Sequence, residues 1–211
     1  MADIRAYAKA QNVAYATDNT WKNLRATRDG APVVAPWLAQ LVIEGKAYQV
    51  RLGTIATALT SDVLITNTFA ESAAEAATGF TIMPLRLNVD IAALGGTLPQ
   101  VCFKSVGALI TTLGAAFVPL NLKIGGPAAS GRAAVSAAGG VTVASEVLTT
   151  TRIIFAATQA VAANNYLNVD FALPPVLVGP ASCYLQVGSV TTGSEYFGNY
   201  DFAEFVGTEV G

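Results

Sequence analysis

Apolar and polar residues alternate over short runs along most of the chain. In Leu87-Asn88-Val89-Asp90-Ile91-Ala92, an extended backbone puts Leu87, Val89 and Ile91 on one face and Asn88, Asp90 and Ala92 on the other. Runs rich in β-branched and aromatic residues, bounded by Gly, Pro, Asn or Ser, recur at 47–52, 63–69, 80–91, 100–106, 109–113, 117–124, 141–148, 152–156, 166–173 and 183–190. Short strands at this spacing predict an all-β chain, a jelly-roll-like antiparallel β-sandwich in place of βαβ units. Residues 39–43 and 47–52 flank Glu44-Gly45-Lys46 and read as a β-hairpin. The segment 70–77, with Glu71, Glu75 and several alanines, reads as two helical turns or a loop. Residues 1–36 hold no strand period and form an extended N-terminal arm, with one helical turn near 4–10. The expected organisation is thus an arm over 1–36 and a sandwich over 37–211 that ends in an acidic, aromatic tail.

The alternating element occurs twice. Leu87-Asn88-Val89-Asp90-Ile91-Ala92 returns as Leu167-Asn168-Val169-Asp170-Phe171-Ala172. Further on, Cys102-Phe103-Lys104-Ser105-Val106-Gly107 is matched by Cys183-Tyr184-Leu185-Gln186-Val187-Gly188, so both cysteines of the chain fall at corresponding places with a one-residue slip. Two similar strand pairs, related by pseudo-symmetry or an old duplication, account for this. Asp90 and Asp170 then lie on the outer face at strand ends, where capping a turn is the plain role and calcium the sharper one.

Composition changes the picture in one respect. Only 12% of the 211 residues are charged while 53% are hydrophobic, so much of the surface must be Thr, Ser, Asn, Gly and Ala or be covered by other chains. The net charge of -2 hides an asymmetry. Residues 1–51 carry seven cationic side chains against four acidic ones, whereas from Glu195 onward there are only acids, Glu195, Asp201, Glu204 and Glu209. A basic start and an acidic end suit head-to-tail contact between subunits. The uncharged stretch 105–122 is interrupted by Gly107, Gly114 and Pro119 and reads as two strands around a Gly114 turn, not a membrane span. No apolar run of signal-peptide length follows Arg5, which leads to the expectation of synthesis and assembly in a cytoplasm.

Candidate chemistry is sparse. The chain has no histidine, which removes the commonest general base and the usual zinc ligand. Cys102 and Cys183 are too few for a disulfide framework or a four-thiolate zinc site, and both read as reduced, buried small hydrophobes. Gly126-Pro127-Ala128-Ala129-Ser130-Gly131-Arg132 imitates the outer spacing of a phosphate-binding loop, but Arg132 and Ala133 stand where lysine and a hydroxyl belong, so it reads as a flexible loop. The aromatic group Tyr196, Phe197, Tyr200, Phe202 and Phe205 reads as a buried tail strand before it reads as a sugar platform. In the arm, Arg5, Lys9, Lys22, Arg25 and Arg28 with Trp21 are the candidate partner-binding residues. Asp18 and Asp29 dilute their charge, so an acidic protein patch is the expected partner and nucleic acid is not.

The run Phe80-Thr81-Ile82-Met83-Pro84-Leu85-Arg86-Leu87-Asn88-Val89-Asp90 with Gly95-Gly96, set in a low-charge Ala/Thr/Gly/Val chain, resembles capsid-associated jelly-roll structural proteins of tailed bacteriophages. The resemblance is one of style over residues 40–190. It implies a non-enzymatic virion protein that decorates or cements the capsid by binding across capsomers. The implied partners are the major capsid protein and copies of the chain itself, a trimer matching threefold positions of a shell; no cofactor, metal or membrane is implied. A receptor- or carbohydrate-binding virion module and a self-assembling jelly-roll coat protein are the alternative readings.

Overall fold

A computed structural model describes residues 5–8, 20–23, 37–61, 69–95, 99–110, 115–135, 141–143, 151–158, 165–188 and 193–207. In the N-terminal part, β1 (Arg5–Ala8) pairs antiparallel with β2 (Thr20–Asn23), so a strand stands where one helical turn was expected. Among the described residues the strands of five residues or more number eight: β3 (Ala47–Leu52), β6 (Ser72–Ala76), β7 (Phe80–Ala93), β8 (Gln100–Val106), β12 (Arg152–Thr158), β13 (Asn165–Asp170), β15 (Ala181–Gly188) and β16 (Glu195–Val206). Shorter strands fill in between: β4 (Leu59–Thr60), β5 (Phe69–Ala70), β9 (Leu120–Asn121), β10 (Ala133–Val135), β11 (Val141–Thr142) and β14 (Leu177–Val178).

Two antiparallel sheets, of seven and five strands, pack as a sandwich. The larger is ordered β13-β7-β16-β3-β9, with β14 on β7 and β4 on β16; the smaller is ordered β10-β6-β15-β8-β12. Among the eight long strands, the larger sheet therefore reads first, eighth, third, sixth and the smaller second, seventh, fourth, fifth. This is jelly-roll connectivity, as the alternating pattern predicts. Val50, Leu52, Leu87, Val89, Ile91, Tyr196 and Phe202 of one sheet face Val101, Cys183, Leu185 and Val187 of the other in a single buried core. Phe103 reaches across to Tyr200, with ring centroids 5.2 Å apart. The Tyr200 hydroxyl bonds Ser72 Oγ at 3.1 Å, and Ser72 donates to the Ala134 carbonyl at 2.9 Å.

The repeat is a pseudo-twofold. β13 pairs with β7 so that Asn168 lies opposite Asn88, its own counterpart, with Val169 opposite Leu87 and Leu167 opposite Val89. In the other sheet β15 pairs with β8, Leu185 opposite Phe103 and Tyr184 opposite Lys104. Within each sheet, each copy sits antiparallel to its twin, as a local twofold relating the two strands demands.

Two expectations are corrected. Residues 39–43 form no hairpin strand: Trp37–Ile43 is a helix, α1. Leu38, Leu41 and Val42 have helical spacing, and Gly45, at φ +74°, ends the helix with Gly45 N–H bonded to the Val42 carbonyl and Lys46 N–H to that of Leu41. Glu44-Gly45-Lys46 is thus a helix cap. Residues 72–76 are a strand, not helical turns, because every one is buried: Ala74 and Ala76 enter the core, and Ala73 lies under a second cluster with Val106, Ile110, Ala134, Val141 and Tyr184. Tertiary burial overrides the helical preference of alanine here. Within 105–122, β8 ends at Val106 and β9 spans only Leu120–Asn121, while the expected turn at Gly114 lies outside the described residues. The expected strand residues 63–68, 111–113 and 144–148 lie outside the described residues. No helix among the described residues is long and apolar enough to cross a membrane.

Ser72→Ala removes the hydroxyl that serves both Tyr200 and Ala134. The buried Tyr200 hydroxyl is left without a partner, so a loss of about 1–3 kcal/mol in urea unfolding is expected, with no change in the sheet content seen by circular dichroism.

Candidate binding cleft and clamped loop

α1 lies on the outer face of the larger sheet. Leu41 is buried against Ala47 of β3 and Ala203 of β16, with Val42, Leu85, Leu122 and Phe205 packed around them. At the edge of this contact a cleft of about 140 Å³ opens. Its floor is apolar, made by Leu38, Val42, Ala47, Leu85 and Leu122, and its wall is charged, made by Arg86, Asp170 and Asp201. Register places the wall: Arg86 of β7 stands between Asp170 of β13 and Asp201 of β16 on neighbouring strands.

Arg86 Nε donates to Asp170 Oδ1 at 2.6 Å. Asp201 Oδ1 accepts from Gln49 Nε2 at 2.9 Å and from Asn199 Nδ2 at 3.0 Å. The Arg86 guanidinium is raised above its usual value, first by its hydrogen bond to Asp170 and then by the charges of Asp170 and Asp201, with partial burial opposing. One cation faces two carboxylates, so the wall carries a surplus negative charge. Oδ2 of Asp170 and Oδ2 of Asp201 accept no hydrogen bond among the described residues. The polar network continues up the face: Asn88 Nδ2 reaches Asn199 Oδ1 at 3.4 Å, and the exposed Tyr166 donates to Asn88 Oδ1 at 3.2 Å. The cleft can therefore hold a side chain with an apolar stem and a cationic head.

The loop 126–132 resembles a phosphate cradle for a physical reason. Ser130 N–H donates to Glu204 Oε1 at 2.8 Å and Gly131 N–H to Glu204 Oε2 at 3.0 Å. Successive backbone amides hold an anion, and the anion is the protein's own buried carboxylate. A Cβ at Gly131 would collide with the Glu75 carbonyl, so only glycine fits. Asn121 ties the loop further, donating from Nδ2 to the Gly45 and Pro127 carbonyls at 2.8 and 2.7 Å. Arg132 bonds Glu75 Oε2 at 3.1 Å, and Glu75 Oε1 accepts from Ile110 N–H at 3.0 Å. The reading of a flexible loop is replaced by a clamped one.

Of the residues expected to bind a partner, Arg5, Trp21 and Lys22 belong to the β1–β2 pair, while Lys9, Arg25 and Arg28 lie outside the described residues. Tyr196, Tyr200 and Phe202 are buried in β16, so the aromatic group is core rather than a platform. Asp170 is an ion-pair partner of Arg86 where a turn cap was expected. Asp90 stands in register between Tyr166 and Phe197. No group of three or more potential metal ligands occurs among the described residues. Both cysteines are free thiols, Cys183 fully buried and Cys102 only in part. The cleft was not found from sequence because its parts come from five separated segments; the repeated Asp at 90 and 170 was the one signal near it. Comparison with known proteins finds no matching family model, no related curated protein and no matching solved structure.

Glu204→Gln replaces one acceptor oxygen by an amide that faces a backbone N–H. A loss of about 1.5–3 kcal/mol in urea unfolding and faster proteolysis within 126–132 are expected. The thiols provide a second check. Burial pushes the Cys183 thiol up to about 12, so it stays protonated at neutral and mildly alkaline pH, where thiolate is the reactive form. A water-soluble disulfide reagent should modify Cys102 first and Cys183 only on unfolding; equal rates would contradict the burial.

Proposed function

We propose that the chain is a non-enzymatic structural protein of a virus particle, one that decorates or cements a capsid by binding across capsomers. One observation carries this reading. The connections β6–β7, β8–β12 and β13–β15 fall at the end of the sandwich where β3 begins and β16 finishes. Leu109, Ile124, Leu173, Val176, Val178 and Val206 are exposed there, Ile124 fully and Leu173 at 94%. Exposed apolar groups at this density mark a surface made to be covered. The low charge of the chain and the rigid jelly roll fit a module held among neighbours, whose partners are the major capsid protein and further copies of itself. The absence of histidine and the engagement of Glu75 and Glu204 in holding loops favour a role without catalysis.

A second reading, a self-assembling jelly-roll coat protein, is favoured by the complete eight-strand winding. Electron microscopy of the purified chain separates the two, since a coat protein forms shells alone and a cement protein needs preformed shells. Under the cement reading, Leu173→Asp with Val178→Asp should cut co-sedimentation with capsids by at least about tenfold while leaving the melting temperature unchanged. Unaltered co-sedimentation would remove this end from the contact.

A further inference from the structure

We propose that the cleft beside α1 receives a cationic side chain from residues 22–28 of the N-terminal arm of a second copy of this chain. The cleft fixes the chemistry of its occupant. Its floor, from Leu38, Val42, Leu85 and Leu122, suits an aliphatic stem. Asp170 and Asp201 offer their open Oδ2 atoms at the rim, on a wall where Arg86 neutralises only one of two carboxylates. Arginine and lysine combine such a stem with such a head.

The chain itself supplies that occupant. Residues 1–36 carry five cations against three aspartates, whereas the remainder carries seven against eleven acids. Lys22, Arg25 and Arg28 stand three apart with no acid between them, and Leu24 adds an apolar neighbour. The arm joins the fold at Trp37, one residue from Leu38 of the cleft. Between Arg28 and that point stands Ala31-Pro32-Val33-Val34-Ala35-Pro36. Proline disfavours helix in the residue before it, and such a sequence favours extended backbone at about 3.1 Å per residue. Fully extended, these six residues would span about 19 Å, long enough for the cations to reach a neighbouring copy. Reciprocal exchange of arms closes a symmetric oligomer, because each copy has one arm and one cleft.

This inference deepens the shell reading, but its test uses the purified full-length chain, so shell attachment and arm exchange fail separately. Sedimentation of the wild-type chain should show concentration-dependent association that weakens as salt is raised. Asp170→Lys with Asp201→Lys, and separately Arg25→Glu with Arg28→Glu, should each weaken it by at least about tenfold at unchanged melting temperature. Mixing the two variants decides between copies. One then has an intact arm and the other an intact cleft, so one-to-one pairs should reappear. A wild-type chain that stays monomeric at every concentration, association indifferent to salt and to both variants, or a mixture that recovers nothing would each overturn the proposal. The last outcome would place the arm in its own cleft. Should the cleft variant melt early, the salt dependence of the wild-type chain and the arm variant still decide.

Discussion

Strand β16 has to serve three environments with one pleat. It sits between β7 and β3 in the middle of the larger sheet and pairs with β7 over most of its length. Tyr196, Tyr200 and Phe202 enter the core, where Tyr200 meets Phe103 and hydrogen-bonds Ser72 of the opposite sheet. On the other face Asn199 and Asp201 meet water, and Ala203 is small enough for Leu41 of α1 to rest on it. Near its end Glu204 fastens the loop 126–132. The core, the helix seat, the cleft wall and the clamped loop are thus all set by side chains of one strand. A one-residue slip of its register would exchange Tyr200 for Asp201 inside the sandwich, and the cost of burying that carboxylate holds the register.

The two outer faces are finished differently. The smaller sheet is covered by the chain itself, with Ile110, Val141 and Val143 lying over Ala73 and Tyr184. That cover needs a close approach, which explains why β6 is made of small residues. Among the described residues the larger sheet is covered only where α1 lies, and the rest of its face is paved by side chains that satisfy one another: Gln49 and Asn199 on Asp201, Arg86 on Asp170, Tyr166 on Asn88. With Arg86 and Asp170 at 41% and 66% exposure, their ion pair contributes little to stability. Its effect is to fix the positions of the groups at the cleft mouth.

The architecture was legible wherever one face of a strand is buried, because burial writes an alternating pattern into the sequence. Residues 87–91 and 167–171 show it, and their twofold pairing follows from the same repeat. The reading failed where both faces are buried or where local chemistry decides. Ser72–Ala76 has no alternation because nothing on it meets solvent. α1 was missed because a single turn of apolar residues fits either period, and what settles it is the left-handed Gly45 cap. The clamped loop showed its glycines in the sequence but not its anion, since Glu204 lies far along the chain from Ser130 and Gly131. The cleft left almost no trace, for it exists only where α1 stops short of covering a sheet built from three distant strands.

That incomplete cover has a physical cause. α1 spans only residues 37–43; it seats Leu41 and Val42 and leaves Trp37 and Leu38 half in water. Covering Arg86, Asp170 and Asp201 as well would desolvate three charges with no further partner for the second carboxylate. Ending the cover at the charged row avoids this and leaves an apolar floor beside a negative wall. The charge on that wall and the apolar atoms beneath it together suit a group that is itself both apolar and cationic, which is the chemistry the proposed arm contact would use.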